Sequence, residues 1–235
     1  MLTSIILFSG LAGITVFIGG LLANYFNLHF KNSPKKNEII HTLMSFGAGI
    51  ILSALALVLI PTGLEELNLI QFILSFISGT LIFMLVNKYL EKKGGKTATL
   101  LAMLMDFIPE SIALGAVFAT DTSMAMLLAV FIGLQNLPEA FNSFRDMIKS
   151  GFAVKKTLLI FFGLSFFGVI SALFGHFLLA NSPNLTAHLM TFASGGILYL
   201  LFQDIIPESK LDKNYLTSLG ASVGFLVGVI GEKII

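Results

Sequence analysis

Three carboxylates, Asp106, Glu110 and Glu139, stand within long apolar stretches at spacings that suit the holding of a cation. Asp106 and Glu110 lie one helical turn apart, and Gln135 and Glu139 repeat that i, i+4 spacing, so each pair puts two oxygen donors on one helix face. Asn136 adds a further amide oxygen three residues before Glu139, and Asn142 and Ser143 carry the polar strip one turn on. Two such faces set against each other make an oxygen-rich cage, which suits divalent cations such as Mn²⁺, Mg²⁺ or Fe²⁺ at least as well as Zn²⁺. The candidate metal ligands are Asp106, Glu110, Gln135, Asn136 and Glu139.

The surroundings of these residues sharpen the reading. A carboxylate at mid-bilayer depth costs about 2.5 to 3.5 kcal/mol on insertion scales, so three of them need a partner or a function. No Lys or Arg occurs between Lys96 and Arg145, and a cation or protons must therefore neutralise them. Pro109 and Pro138 precede Glu110 and Glu139 directly; each lacks an N–H and frees the carbonyl four residues earlier, at Met105 and Leu134. Freed carbonyls at this depth belong beside a polar cavity or another partner. The competing reading makes the acids protonated, hydrogen-bonded glue between helices.

The elements that position these residues follow from composition. With 56% apolar residues, 11% charged residues and a mean hydropathy of +0.92, the chain lacks the polar surface of a soluble domain. A spanning helix needs about 20 mostly apolar residues. Eight stretches qualify: 2–28, 39–60, 69–87, 98–119, 124–144, 157–180, 185–206 and 215–231. The breaks between them are short and polar, as in Lys31-Asn32-Ser33-Pro34-Lys35-Lys36-Asn37 and Ala180-Asn181-Ser182-Pro183-Asn184. The first stretch is too long for a signal-peptide core and has no basic leader, so it reads as a retained span. The fold class expected is an all-α polytopic membrane protein, a single transmembrane transporter domain over 1–235.

Charge sets the expected orientation. Every basic residue except Lys233 falls in the loops after spans 1, 3, 5 and 7 or at their borders, which makes those loops cytoplasmic and places both termini outside. Span 2 and span 7 share a register: Phe46, Gly49, Ile51, Leu52, Leu55, Ile60 and Pro61 match Phe192, Gly195, Ile197, Leu198, Leu201, Ile206 and Pro207 without a gap. Pro109-Glu110 on span 4 echoes Pro138-Glu139 on span 5. Both pairs run in opposite directions through the bilayer. They predict an inverted repeat, spans 1–3 and 6–8 around central spans 4 and 5, the arrangement by which secondary transporters exchange access to a central site.

Other chemistries are poorly served. There is no Cys, no His-Glu-x-x-His helix and no nucleophile beside a His base, which disfavours an enzyme. A net charge of +1 gives no footprint for nucleic acid. A carrier of protons or organic solutes, with the same acids titrating, is the alternative to a metal carrier. His29, His41, His176 and His188 read as packing or interfacial residues, and the scattered methionines as core filler. Asp204 beside Gln203 reads equally as an interfacial carboxylate and as a gate residue. Gly220, Gly224 and Gly228 form a small-residue stripe for packing within the bundle or at a homodimer face.

Taken in order, Phe46-Gly47-Ala48-Gly49, Ile108-Pro109-Glu110, Gln135-Asn136-Leu137-Pro138-Glu139 and Asp204-Ile205-Ile206-Pro207-Glu208 resemble the signature stretches of the ZIP (Zrt/Irt-like) family of divalent metal transporters. The resemblance spans the whole chain. It implies eight helices with both ends outside, metal held by Asp106, Glu110, Gln135, Asn136 and Glu139, and Zn²⁺, or Mn²⁺ or Fe²⁺, as transported substrate. It also implies a bacterial or archaeal plasma membrane as the setting. The chain departs from the pattern at Asp106-Phe107, where the family usually carries His-Asn, and in span 6, which has no acid in Gly163-Leu164-Ser165-Phe166-Phe167-Gly168. The histidine usual at the end of span 2 is replaced within Val58-Leu59-Ile60-Pro61. One metal site rather than two is therefore expected, and a branch that has lost metal transport is the remaining alternative.

Overall fold

The computed structural model describes residues 1–30, 33–93, 98–119, 121–179 and 181–234, with the side chains at 93, 98–100, 102 and 106 outside the described set. Its helices are α1 (Leu2–His29), α2 (Pro34–Ala54), α3 (Ile60–Glu66), α4 (Leu69–Lys93), α5 (Ala98–Val117), α6 (Thr122–Lys149), α7 (Val154–Leu179), α8 (Pro183–Leu200), α9 (Ile206–Ser209) and α10 (Tyr215–Ile234). Among the described residues there is no strand. Among the described residues seven helical stretches are long and apolar enough to cross a membrane, and α5, partly outside the described side chains, runs for 20 residues beside them. The chain is an all-helical, polytopic membrane protein.

Local chemistry places the helix ends. Ser33 caps α2 by accepting the Lys36 N–H at 3.1 Å, with Pro34 in the first turn, and Asp121 caps α6 by accepting the Met124 N–H at 2.9 Å. The second stretch does not stop at Ile60-Pro61, where the sequence places its end. The helix widens into a π-helical turn over Leu55–Leu59, closed by the Ile60 N–H on the Leu55 carbonyl, and runs on through α3 to Glu66. The cause is Pro61, whose ring displaces the Leu57 carbonyl; an extra residue in the preceding turn absorbs that clash without breaking the helix. Pro207 does the same over Leu201–Ile205, with the Ile206 N–H on the Leu201 carbonyl.

The long helices pack in two sets: α1, α5, α6 and α7 against one another, and α2 with α10 beside α4 with α8. Lipid tails are as apolar as Leu, so close backbone approach through small residues holds such helices together. Gly49 of α2 faces the Ala221 backbone of α10, and Gly195 of α8 faces the Phe76 backbone of α4. Gly224 returns the contact onto Phe46, as Gly79 does onto Phe192. The stretches that share a register in sequence thus make corresponding contacts. The stripe Gly220, Gly224, Gly228 seats on Thr42, Phe46 and Ser53 of α2, so its packing partner is inside the bundle.

A Cβ at Gly49 or Gly195 collides with backbone, which cannot swing away, whereas one at Gly163 meets nothing within 4 Å. Gly49→Ala and Gly195→Ala are each expected to lower the melting temperature in detergent by about 5 °C, and Gly163→Ala to leave it unchanged. Equal melting of all three variants would refute these seams.

Candidate metal site

The site begins at the seam of α5 and α6, continuous helices that each carry an interior proline, Pro109 or Pro138. Glu110 and Gln135 are both 1% exposed, and the Gln135 amide Nε2 donates to Glu110 Oε2. Gln135 Oε1 is buried and meets no hydrogen-bond partner among the described residues. Glu139 follows one turn later, half-buried. Gln135 and Glu139 stand together on the wall of a cavity of about 280 Å³, which continues along α6 past Asn142 and Asp146. Gly47 and Ala48 of α2 form part of the facing wall, together with Asp204 and Glu208 after α8.

The sequence-predicted ligands are thus partly gathered. Glu110 and Gln135 touch, and Gln135 and Glu139 share the cavity. Asn136 is buried on the other side of α6, its Nδ2 leaning on the Ala12 carbonyl of α1 at 3.5 Å. Asp106 lies on α5, its side chain outside the described residues. Among the described residues no three His, Cys, Asp or Glu side chains cluster tightly enough to hold a metal, so an ion bound here also needs amide oxygen, water or Asp106. Phe107 is 2% exposed, with its ring against Gly168 of α7 and off the cavity wall. It fills the α5/α7 seam.

Sequence reasoning overlooked the far end of the cavity. Asn87 of α4 is buried and donates to Asp204 Oδ2 at 3.1 Å and to Glu91 Oε1 at 3.4 Å. Asn142 likewise donates to Glu208 Oε2 at 3.1 Å and to Asp146 Oδ2 at 3.3 Å. Two amides therefore hold four carboxylates around the mouth, and Asp204 belongs to the cavity. The i, i+4 spacing of Asn87 with Glu91 and of Asn142 with Asp146 was the available signal; the partner across the mouth lies more than sixty residues away in each case and is invisible to local spacing. The cavity wall carries five carboxylates, Glu91, Glu139, Asp146, Asp204 and Glu208, and no Lys, Arg or His among the described residues. Lys149 meets Asp146 Oδ1 at 2.8 Å at the rim. A low-dielectric cleft lined by one sign of charge concentrates counter-ions, here cations.

The histidines stay away from this wall. His188 Nδ1 pairs with Ser75 Oγ at 2.7 Å, His29 Nδ1 meets the Tyr25 carbonyl at 3.0 Å, and His176 is buried at the end of α7.

No family model matches the chain. It is similar to zinc transporter ZIP13 of Gallus gallus, 28% identical over 128 residues, 51% of this chain and 33% of that protein. Zinc transporter zipt-7.1 of Caenorhabditis briggsae is 23% identical over 57% of the chain and 36% of its own length. Zinc transporter zipt-7.2 of Caenorhabditis elegans is 22% identical over 59% and 32%. The chain spans about a third of the length of these curated relatives. All three are eukaryotic, so the expected bacterial or archaeal membrane finds no support in them. The helix motifs and these matches agree, and the chain is similar to zinc transporters of the ZIP family over about half its length.

Proposed function

We propose that the chain carries divalent metal cations across the membrane as a secondary transporter, not as an enzyme. Glu110, Gln135 and Glu139 hold the ion together with Asp106, while Asn136, the fifth ligand expected from sequence, turns to Ala12 on the other side of α6. The observation that carries this reading is the cavity that starts at Gln135 and Glu139 and ends among four further carboxylates without a basic side chain on its wall. Zn²⁺ is the first cargo to test, because the relatives are named zinc transporters. Mn²⁺ and Fe²⁺ follow from the oxygen donors.

In this reading eight helices span the bilayer as one domain over 1–235, both termini lie outside, and the lysine-rich end faces the cytoplasm. The α2/α10 and α8/α4 contacts through Gly49 and Gly195, and the twin π-helical turns before Pro61 and Pro207, support an inverted repeat. Such a repeat exposes the α5/α6 site alternately to the two sides. The cavity then belongs to the state open to the cytoplasm.

Reconstituted into liposomes, the purified chain is expected to take up Zn²⁺, Mn²⁺ or Fe²⁺ above empty vesicles. If none of these ions enters and proton flux does, the acids titrate instead of coordinating, and the carrier moves protons or organic solutes.

A further inference from the structure

Acids on the lysine-rich end are unevenly spread. The cavity mouth holds Glu91, Asp146, Asp204 and Glu208, whereas no carboxylate occurs in residues 1–37 or 147–203, the segments that hold α1 and α7. Those same segments contain Lys31, Lys35, Lys36, Lys149, Lys155 and Lys156. Lys149 pairs with Asp146 at 2.8 Å and Lys35 lines a groove with Glu38 and Asp212, whereas Lys155 and Lys156 stand at the start of α7 on a segment without an acid.

The packing gathers several of them at one corner. Gly13 of α1 faces the Ser165 backbone of α7, and Gly20 faces Phe161 and Leu158, so the helices run antiparallel and the end of α1 is level with the start of α7. Tyr25 and His29, stacked at 4.1 Å, therefore lie level with exposed Lys155 and Lys156. Beyond the turn Lys36 is 6% exposed, its Nζ bonded to the Phe30 carbonyl at 2.9 Å, which ties the start of α2 to the end of α1 and leaves Lys35 exposed beside it. Glu38, the nearest acid in the chain, accepts from Asn214 Nδ2 at 2.6 Å. Only 39% of each apolar window of α1 and α7 is buried in the bundle, so the rest of both helices faces lipid directly above this corner.

We propose that the corner formed by Tyr25, His29, Lys35, Lys155 and Lys156 docks the headgroup of an anionic phospholipid. The ammonium groups face the lipid phosphate, and Tyr25, 52% exposed at the membrane boundary, sits at the headgroup level where an amphipathic ring is favoured. The inference is independent of what the cavity carries.

The test compares melting in phosphatidylcholine nanodiscs with and without phosphatidylglycerol. Phosphatidylglycerol is expected to raise the melting temperature of the wild type by about 4 °C, an effect lost at high salt. Lys35→Gln/Lys155→Gln/Lys156→Gln should lose the rise, and Lys88→Gln/Lys92→Gln/Lys210→Gln, which removes equal charge elsewhere on the same end, should keep it. No rise in the wild type, or the same response in both variants, overturns the corner. An equal rise from inorganic phosphate in phosphatidylcholine alone assigns it to a free anion and overturns the lipid. Should the corner variant fail to fold, native mass spectrometry of the wild type decides: preferential retention of phosphatidylglycerol over phosphatidylcholine supports the site, and equal retention overturns it.

Discussion

Glu139→Gln is expected to leave the chain folded and to abolish metal uptake, with metal-induced thermal stabilisation in detergent weakened roughly 100-fold or more in apparent affinity. The substitution keeps the shape and hydrogen-bonding reach of the side chain and removes one negative charge from the cavity wall at the point nearest Gln135. A half-buried carboxylate can lose its charge without a large stability loss, so the melting temperature without metal should stay within a few degrees of the wild type. Glu110→Gln should act in the same direction. It differs in mechanism, because Glu110 is 1% exposed and accepts from Gln135, and an amide there keeps one oxygen to accept that bond while its NH2 needs a new buried acceptor. A Glu139→Gln protein that still takes up metal at the wild-type rate removes Glu139 from the ligand set.

Gly115→Ala is expected to give the largest stability loss of any single methyl added to the described chain. A Cβ at Gly115 runs into the Ala172 carbonyl, backbone against backbone, with no flexible side chain to give way. Gly175 makes the reciprocal contact onto Ile112, so α5 and α7 have no slack in this seam. Overpacking of this kind costs about 1 to 3 kcal/mol and sometimes more, which corresponds to a fall of roughly 6 to 10 °C in melting temperature at the upper end. The metal response should fall with it, since pushing α5 off α7 shifts Glu110 against Gln135 and lifts Phe107 from Gly168. Thermal melts with and without metal, beside Gly163→Ala as the permissive control, measure both effects. A wild-type melt for Gly115→Ala would show that the seam is looser than described.

Much of this architecture was legible in sequence, and the reasons are physical. Apolar stretches of spanning length must be helices in lipid, because only helices and closed barrels satisfy the backbone there, so the eight stretches coincide with described helices. Prolines were harder to read. Pro61 and Pro207 mark stops by local rule, yet both chains run on, because a π-helical turn relieves the clash at the cost of one residue of register.

The site was legible to one helix turn and no further. The i, i+4 spacing puts Gln135 and Glu139 on one face of α6, where both line the cavity, whereas the contact of Gln135 with Glu110 crosses between helices and depends on how α5 packs on α6. The spacing gave no means of separating Gln135 from Asn136, its immediate neighbour, which turns toward Ala12 because successive helical residues point about 100° apart. Phe107, a bulky aromatic where the family places an amide, proves to be packing for Gly168, a distinction that depends on where α7 lies. The mouth, where Asn87 meets Asp204 and Asn142 meets Glu208, depends wholly on tertiary structure.

The central claim is that a divalent cation sits where the proline-containing helices α5 and α6 turn their oxygens toward the cavity. Anomalous scattering from crystals soaked separately in Zn²⁺ and Mn²⁺ tests it most directly. A metal peak within bonding distance of Gln135 Oε1 and a Glu139 carboxylate oxygen is the predicted result; metal bound elsewhere on the protein, with nothing between those two side chains in either soak, would contradict it.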